Sequence, residues 1–170
     1  IDCIEAFAEC LHILMCGTGF GFSVRQEDVA KLPVIPKIQS AKGATHIVED
    51  SREGWADSVK ILMERLYSGK NIKFDYSSVR PQGAKLITMG GRSSGPQPLI
   101  KLHDFIREVF TIAQGRQLST LEAHDICNQI AEIVVAGGVR RSSQISLSDL
   151  DDREMRHAKD WPFPLRRAMA

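Results

Sequence analysis

One stretch of the chain combines basic side chains with glycines and carries no acidic residue. Between Asp75 and Asp104 the charged side chains are Arg80, Lys85, Arg92 and Lys101. Residues 80–98 of this stretch are rich in glycine and serine and lead into a predicted helix. Free backbone N–H groups at a helix start, with Arg and Lys nearby, form a typical anion site, and phosphate is its usual ligand. The stretch therefore predicts phosphate binding; the alternative is a surface loop with solvated basic side chains.

Glycines are the second chemical feature, because they let a ligand approach the backbone closely. In the acid-free stretch we assign this role to Gly90, Gly91 and Gly95. A later segment, residues 137–142, has a similar character and consists of Gly137, Gly138, Val139, Arg140, Arg141 and Ser142. A glycine pair can adopt positive φ, and paired arginines can bind phosphate or stack on a base. The alternative for residues 137–142 is a helix end followed by two surface arginines.

Other familiar chemistries find no support in the sequence. The glycines of residues 17–21 follow a predicted helix and precede a strand, whereas a dinucleotide fingerprint follows a strand and opens a helix. The chain has no P-loop motif, no HExxH and no nucleophile elbow. Its four cysteines form no CxxC, so we interpret them as reduced, mainly structural thiols and predict no metal site.

The elements that would position these segments alternate between helix and strand. Apolar residues at three- and four-residue spacing predict helices over residues 4–16, 51–69, 99–114 and 119–135, with a short one over 151–159. Strands are predicted over residues 18–24, 46–49, 73–79 and 144–147, and residues 25–45 are predicted as an irregular connection. This alternation favours the α/β class.

Composition narrows the partners further. The 170 residues are 43% apolar and 25% charged, with a formal net charge of +1, which is ordinary globular composition. Such a balance provides no overall field for nucleic acid, and the longest apolar stretch is too short to span a membrane. We expect a cytoplasmic chain without nucleic-acid or membrane partners. Its first residue is Ile1 and its last residues read as structured sequence, so we expect a fragment.

Five stretches, in order along the chain, resemble the class II ribonucleotide reductases. They are residues 16–24 (CGTGFGFSV), 50–56 (DSREGWA), 74–84 (FDYSSVRPQGA), 90–96 (GGRSSGP), and 121–125 (LEAHD) through 139–142 (VRRS). The closest resemblance is to the monomeric, adenosylcobalamin-dependent ribonucleoside-triphosphate reductases. It covers most of the chain, and five motifs in register are far more specific than a single glycine-rich match.

The resemblance implies an α/β fold that is the N-terminal part of a ten-stranded barrel over residues 1–170. An insertion at about residues 25–73 would replace the partner subunit of dimeric reductases, so we expect a monomer. The implied activity is thiyl-radical reduction of ribonucleoside triphosphates, with adenosylcobalamin as cofactor and thioredoxin or a similar dithiol as reductant. The radical and redox cysteines are expected outside the chain, so no catalytic residue is assigned. The alternative is a non-catalytic nucleotide-binding piece of a split or regulatory reductase-like protein.

The resemblance also implies roles for the two basic segments. Asp2, Arg80, Lys85 and Arg92 become candidates for binding a deoxynucleoside triphosphate effector. Residues 137–142 become the specificity loop between effector and substrate base, with Arg140 expected to contact both ligands. A loop that shares contacts with two ligands can transmit a free-energy difference between their sites, as effector-controlled specificity requires.

Overall fold

The computed structural model describes residues 1–39, 45–86, 91–135 and 143–169. Its helices are α1 (Glu5–Met15), α2 (Gln26–Val29), α3 (Arg52–Tyr67), α4 (Gln97–Ile112), α5 (Thr120–Val135) and α6 (Arg153–Arg156), followed by a 3-10 helix (Leu165–Met169). Its strands are β1 (Phe20–Ser23), β2 (Thr45–Ile47), β3 (Lys73–Asp75) and β4 (Gln144–Leu147).

The four strands form two parallel pairs. Strand β1 pairs with β4, with Phe20 opposite Gln144 and Ser23 opposite Leu147. Strand β2 pairs with β3, with His46 opposite Phe74. Mixed helices and parallel strands confirm the predicted α/β class. The described residues form two separate two-stranded sheets, however, and no ten-stranded barrel is seen among them.

Local signals account for several helix ends. The Ser51 hydroxyl accepts a hydrogen bond from the Gly54 amide at 2.9 Å and caps α3. Ser119 and Glu122 form the predicted capping box at the start of α5: the Glu122 amide donates to the Ser119 hydroxyl, and the Ser119 amide donates to the Glu122 carboxylate. Gly17 adopts a φ of +82° directly after the residue that caps the end of α1, as a helix-ending glycine should.

Three elements differ from the sequence prediction. Helix α2 lies inside residues 25–45, which we predicted to be irregular, because four residues are too few to show a helical period. Strand β3 ends at Asp75, since the Asp75 carboxylate accepts a hydrogen bond from the Ser77 amide and turns the chain. The 3-10 helix near the end of the chain was not predicted.

Helix α1 lies between α3 and α5 and is the centre of the core. Its buried apolar side chains include Phe7, Leu11 and Leu14. They pack with apolar side chains of the long helices in one continuous cluster, which also reaches β1 through Phe22. This cluster fixes the end of α1 relative to the start of α3. None of the described helices has the length and apolar character needed to cross a membrane.

Candidate functional site

Residues 80–86 and 91–96, which we call the basic hairpin, form two antiparallel arms. The Gly83 amide donates to the Ser93 carbonyl at 2.8 Å, and the Ser93 amide donates to the Ala84 carbonyl at 2.8 Å. The Leu86 amide donates to the Gly91 carbonyl at 3.0 Å. Residues 87–90, including Gly90, lie outside the described residues. The stretch predicted as a glycine-rich loop is therefore an ordered hairpin on either side of its tip.

Two of the predicted phosphate ligands, Lys85 and Arg92, are directly opposite each other on the two arms. Opposed residues of antiparallel strands present their side chains on the same face, and like charges in that arrangement repel. Both residues are exposed, and one guanidinium nitrogen of Arg92 donates to the Gly83 carbonyl at 3.0 Å. An anion bound on this face would relieve the repulsion, so the pair has the charge and geometry of a phosphate subsite.

Arg80 precedes the paired arms and contacts an acidic residue that the sequence analysis did not single out. Its Nε donates to Asp50 Oδ2 at 2.6 Å, and both side chains are about one-third exposed. Asp50 comes directly before Ser51, the cap of α3. Next along the chain, Arg52 donates to the Cys16 sulfur at 3.4 Å. These contacts connect the base of the hairpin to the start of α3 and the end of α1.

The second basic segment ends at the same place in the fold. Residues 136–142, and with them Gly137, Gly138, Val139, Arg140, Arg141 and Ser142, lie outside the described residues. The residue that follows them, Ser143, accepts a hydrogen bond from the Phe20 amide at 2.9 Å. Phe20 closes the short turn that begins at Cys16 and Gly17. The base of the hairpin and Ser143, the residue that follows the second segment, are thus both anchored next to the end of α1.

Asp2 is not brought to this site. It precedes α1, whose 11 residues make a rod about 16 Å long, and the site lies at the other end of that helix. The Asp2 carboxylate instead lies 3.8 Å from the Lys31 ammonium in an exposed ion pair.

The structure gives Gly95 a packing role. Its φ is +71°, and a Cβ there would lie 2.9 Å from the Gln82 backbone nitrogen. Glycine at this position therefore allows the arms to close. Gly91 also has a positive φ, +83°, next to the undescribed tip.

The start of α4 supplies fewer donors than the sequence analysis expected. Pro96 caps this helix and Pro98 lies in its first turn, and neither has a backbone N–H. In the described part, the cationic side chains of the hairpin therefore offer more to an anion than this helix start does.

A largely buried polar cluster, which the sequence analysis missed, includes Tyr76, four residues before Arg80 of the hairpin. Tyr76 donates to His103 at 2.7 Å, and the other ring nitrogen of His103 contacts the Ser58 hydroxyl at 3.1 Å. Burial lowers the pKa of His103 to about 3 and raises the pKa of Tyr76 to about 12, so both groups are neutral at pH 7. Asp75, beside this cluster, has a lowered pKa because the Ser77 amide hydrogen-bonds its carboxylate. Residues 74–79 (FDYSSV) have a strand pattern in the sequence, but nothing in that pattern points to a histidine 27 residues beyond Tyr76.

An open cavity of about 380 Å³ lies elsewhere, between α2, the start of α5 and α6. At its base the Thr120 hydroxyl donates to Asp152 Oδ2 at 2.5 Å. Across residues 1–39, 45–86, 91–135 and 143–169, no group of three or more His, Cys, Asp or Glu side chains is placed to hold a metal ion.

Comparison with known proteins finds one enzyme group throughout. A family model described as the insertion domain of B12-dependent ribonucleotide reductase matches residues 28–110. This match begins near our predicted insertion at residues 25–73 but continues through the basic hairpin and most of α4. An adenosylcobalamin-dependent ribonucleoside-triphosphate reductase from Euglena gracilis is 34% identical over 161 residues, covering 94% of this chain and 22% of the relative.

Two further comparisons agree. The enzyme of the same name from Lactobacillus leichmannii is 30% identical over 176 residues, covering 83% of this chain and 24% of the relative. The crystal structure of a B12-dependent (class II) ribonucleotide reductase superposes with a TM-score of 0.81 at 26% identity, over 92% of this chain and 26% of that one. The chain therefore spans about a quarter of the length of these proteins.

Proposed function

Because the chain belongs to the B12-dependent ribonucleotide reductases, we propose that it is the part of a ribonucleoside-triphosphate reductase that binds the nucleotide effector and senses the substrate base. The relatives carry the name of this activity, and this chain matches about a quarter of them. We extend the activity, the substrate class and a dithiol reductant such as thioredoxin to the whole protein on this basis. A cytoplasmic, monomeric reductase whose residues 25–73 replace a partner subunit remains part of the same proposal.

The observation that carries the proposal is the opposed cation pair of the basic hairpin. Lys85 and Arg92 repel each other on an exposed face, and no acidic side chain occurs between Asp75 and Asp104 to neutralise them. A triphosphate supplies several anionic oxygens, and both guanidinium and ammonium groups bind such oxygens through charge-assisted hydrogen bonds. We assign Lys85 and Arg92 to the effector phosphates.

Arg80 has a different role in this proposal because it is already paired. Its bond to Asp50 orients the guanidinium at the hairpin base, beside the start of α3. A side chain that is held in place loses less entropy when it binds a ligand. We propose that Arg80 binds the effector from this fixed position, and that Asp2, at the far end of α1, does not take part.

Coupling between effector and substrate follows from the shared anchor at the end of α1. The hairpin reaches that point through Asp50 and Arg52, and residues 137–142 end there at Ser143. A shift of the hairpin on binding effector would reach Ser143, the residue that directly follows the second segment, through this anchor. We propose that residues 137–142, with Arg140 foremost, contact the substrate base and respond to the effector in this way.

Adenosylcobalamin, the cofactor in the relatives' names, has no site that we assign among the described residues of this chain. The open cavity beside α5, at about 380 Å³, is much smaller than a corrin ring with its nucleotide tail, and the hydrogen-bonded Thr120 and Asp152 belong to its lining. Of the four cysteines, Cys10 and Cys127 are buried, Cys16 contacts Arg52, and Cys3 is exposed before α1 at the helix end away from the hairpin. We place the cofactor site and the radical chemistry in the part of the reductase that this chain does not match.

The test uses the full-length reductase and measures binding of each deoxynucleoside triphosphate by equilibrium dialysis. Replacing Lys85 or Arg92 with Ala should weaken binding of the effector about tenfold, as expected for the loss of one charge-assisted contact. Lys101→Ala is the matched control, because Lys101 is an exposed cation of the same acid-free stretch but lies on α4. Unchanged binding in a Lys85→Ala/Arg92→Ala double variant would refute the proposal, and an equal loss in Lys101→Ala would reduce it to a general charge effect.

A further inference from the structure

Three side chains from separate parts of the fold form a hydrogen-bonded chain whose outer member, Tyr76, lies four residues before Arg80 of the basic hairpin. His103, on α4, is completely buried, and its Nε2 lies 3.1 Å from the hydroxyl of Ser58 on α3. Its Nδ1 lies 2.7 Å from the hydroxyl of Tyr76, which directly follows β3. Ser58 is also completely buried, and Tyr76 is half-buried. The chain runs from the interior toward the hairpin.

The donors of this chain are fixed by one additional bond. The Ser58 hydroxyl donates its only proton to the Trp55 carbonyl at 2.7 Å, so its oxygen accepts from His103. His103 therefore carries its proton on Nε2, and the unprotonated Nδ1 accepts from the Tyr76 hydroxyl. Every polar atom of the ring is satisfied in this single arrangement, which orients Tyr76 by a directional bond in addition to packing.

Tyr76 passes this orientation to the hairpin over four residues. Its carbonyl accepts a hydrogen bond from the Val79 amide at 3.0 Å, and Val79 is buried. The next residue is Arg80, whose side chain reaches Asp50. The position of Arg80 thus depends on a turn that begins at Tyr76.

Helix α4 also contacts β3, which leads into the hairpin, and continues directly from the second arm. It starts where the second arm ends, and Arg107, one turn beyond His103, donates to the Ile72 carbonyl at 3.1 Å. The Arg107 guanidinium also lies over the Phe74 ring at 5.7 Å. Both strand β3 and the second arm are therefore fixed to the helix that carries His103.

We propose that Tyr76 and His103 are positioning residues that set the affinity of the basic hairpin for its nucleotide by holding the Tyr76–Val79 turn in one orientation. The inference rests on the proposed function of the hairpin and adds a control point that does not itself touch the ligand. Loss of the Tyr76–His103 bond allows the turn to sample other orientations, so the effector has to restore the binding geometry at a cost in affinity.

The test compares two tyrosine-to-phenylalanine changes in the full-length reductase. Tyr76→Phe removes the bond to His103 and should raise the deoxynucleotide concentration for half-maximal stimulation about three- to tenfold, as for one hydrogen bond. Turnover without effector should stay within twofold. Tyr67→Phe is the matched control, since the Tyr67 hydroxyl is buried without a partner among the described residues, and it should leave the effector response unchanged.

A second pair of variants separates positioning from general damage. In His103→Asn the new side-chain oxygen can take the place of Nδ1 and accept from Tyr76, whereas His103→Leu offers no acceptor. We expect Asn to preserve the effector response better than Leu, even though both lower the melting temperature. Equal responses in the two variants, or a Tyr76→Phe enzyme with normal effector affinity, would overturn the proposal.

The Lys85→Ala/Arg92→Ala variant distinguishes failure of the hairpin as the effector site from failure of the positioning role. Weak effector binding in the Lys85→Ala/Arg92→Ala double variant, with normal binding in Tyr76→Phe, would refute the positioning role alone. Normal binding in both would refute the hairpin as the effector site, and the positioning role with it.

Discussion

Two units of the molecule each link a helix to a parallel strand pair through a buried histidine. They differ in how fully the polar groups around that histidine are satisfied. In the β2–β3 unit (β2, α3, β3 and α4), a parallel strand pair is linked to a helix through buried His103. In the β1–β4 unit (α1, β1, α5 and β4), His124 of α5 is buried in the same way and contacts the Ser146 hydroxyl of β4 at 3.0 Å. Each unit thus connects a helix to the neighbourhood of a strand through a neutral imidazole and a hydroxyl.

The units differ in what lies at the far side of the imidazole. The Nε2 of His103 contacts the Ser58 hydroxyl, which in turn donates to the Trp55 carbonyl, so every polar atom of this network has a partner. His124 ends on Asn128 at 2.7 Å, and Asn128 Oδ1 has no further partner among the described residues. Gln144 Oε1, on β4, is likewise buried without one there. Buried acceptors without partners are uncommon, because each costs the free energy of its lost hydration.

The difference indicates which histidine network is complete within this chain. The β2–β3 unit lies largely inside the match to the insertion domain, and the groups around its buried imidazole are all satisfied by its own side chains, although the Tyr67 hydroxyl of α3 is buried without a partner among the described residues. The β1–β4 unit lies mostly outside that match and retains unfilled acceptors. Parallel sheets are normally covered on both faces, yet Ile145 and Leu147 of β4 are 66% and 60% exposed. We interpret the β1–β4 unit as the part that depends on further strands of the reductase.

The largest predicted effect is a loss of folding stability at acid pH, and it tests both buried imidazoles. Burial is the main cause that lowers the pKa of His103 to about 3 and of His124 to about 4, against the ordinary value of 6.5. Arg107 and His46 contribute in the same direction at His103, and Lys159 and Arg167 do so at His124, where Asp125 opposes them. Below pH 6.5 the unfolded chain binds protons that the folded chain refuses, so stability falls as the pH falls.

Each histidine should contribute a slope of up to about 1.4 kcal/mol per pH unit, for both down to about pH 4 and for His103 alone below it. Urea denaturation between pH 7 and pH 4.5, followed by the fluorescence of the two tryptophans, measures this slope. His103→Asn and His124→Asn should each remove about half of it. A slope that survives the loss of both histidines would show that carboxylates, not these imidazoles, control acid stability.

The sequence predicted local structure well and contacts between distant segments poorly. The caps at Ser51 and Ser119 depend on partners three residues away, so the pattern of types is sufficient to recognise them. The pairing of β1 with β4 joins the two ends of the chain, and a strand pattern does not identify its partner. Helix α2 was missed for lack of length, and the hairpin because glycine and serine are typical of loops.

The candidate site shows the same difference: its local features could be predicted from the sequence, and its contacts between distant segments could not. The acid-free stretch and its cations could be read from composition, whereas the opposition of Lys85 and Arg92 depends on hairpin register. The partner of Arg80, 30 residues away, could not be inferred from either neighbourhood. Asp2 was included on its position before α1, and only the packing of α1 shows that it lies at the other end.

Removing one polar partner from each network should give unequal losses of stability. Ser58→Ala leaves a buried N–H of His103 without an acceptor, which should cost about 1–3 kcal/mol. Asn128→Leu removes one unpartnered acceptor and exposes another on His124, so the number of unsatisfied groups is unchanged and the cost should be below about 1 kcal/mol. Urea denaturation at pH 7 compares the two; equal losses would mean that the β1–β4 network is as complete as the other.

The smallest predicted change in stability concerns the exposed strand faces. It is informative because it should differ between this chain and the full-length reductase. Ile145 of β4 and Ile47 of β2 are 66% and 57% exposed, so Ile145→Ser and Ile47→Ser should each change the stability of this chain by less than about 0.5 kcal/mol. In the full-length reductase we expect the two to separate. If further strands cover the β1–β4 sheet, Ile145→Ser removes a buried side chain there and lowers the melting temperature, while Ile47→Ser remains neutral. Equal melting temperatures for both full-length variants would show that the exposed face of β4 stays uncovered, and the β1–β4 unit would then be as self-contained as its counterpart.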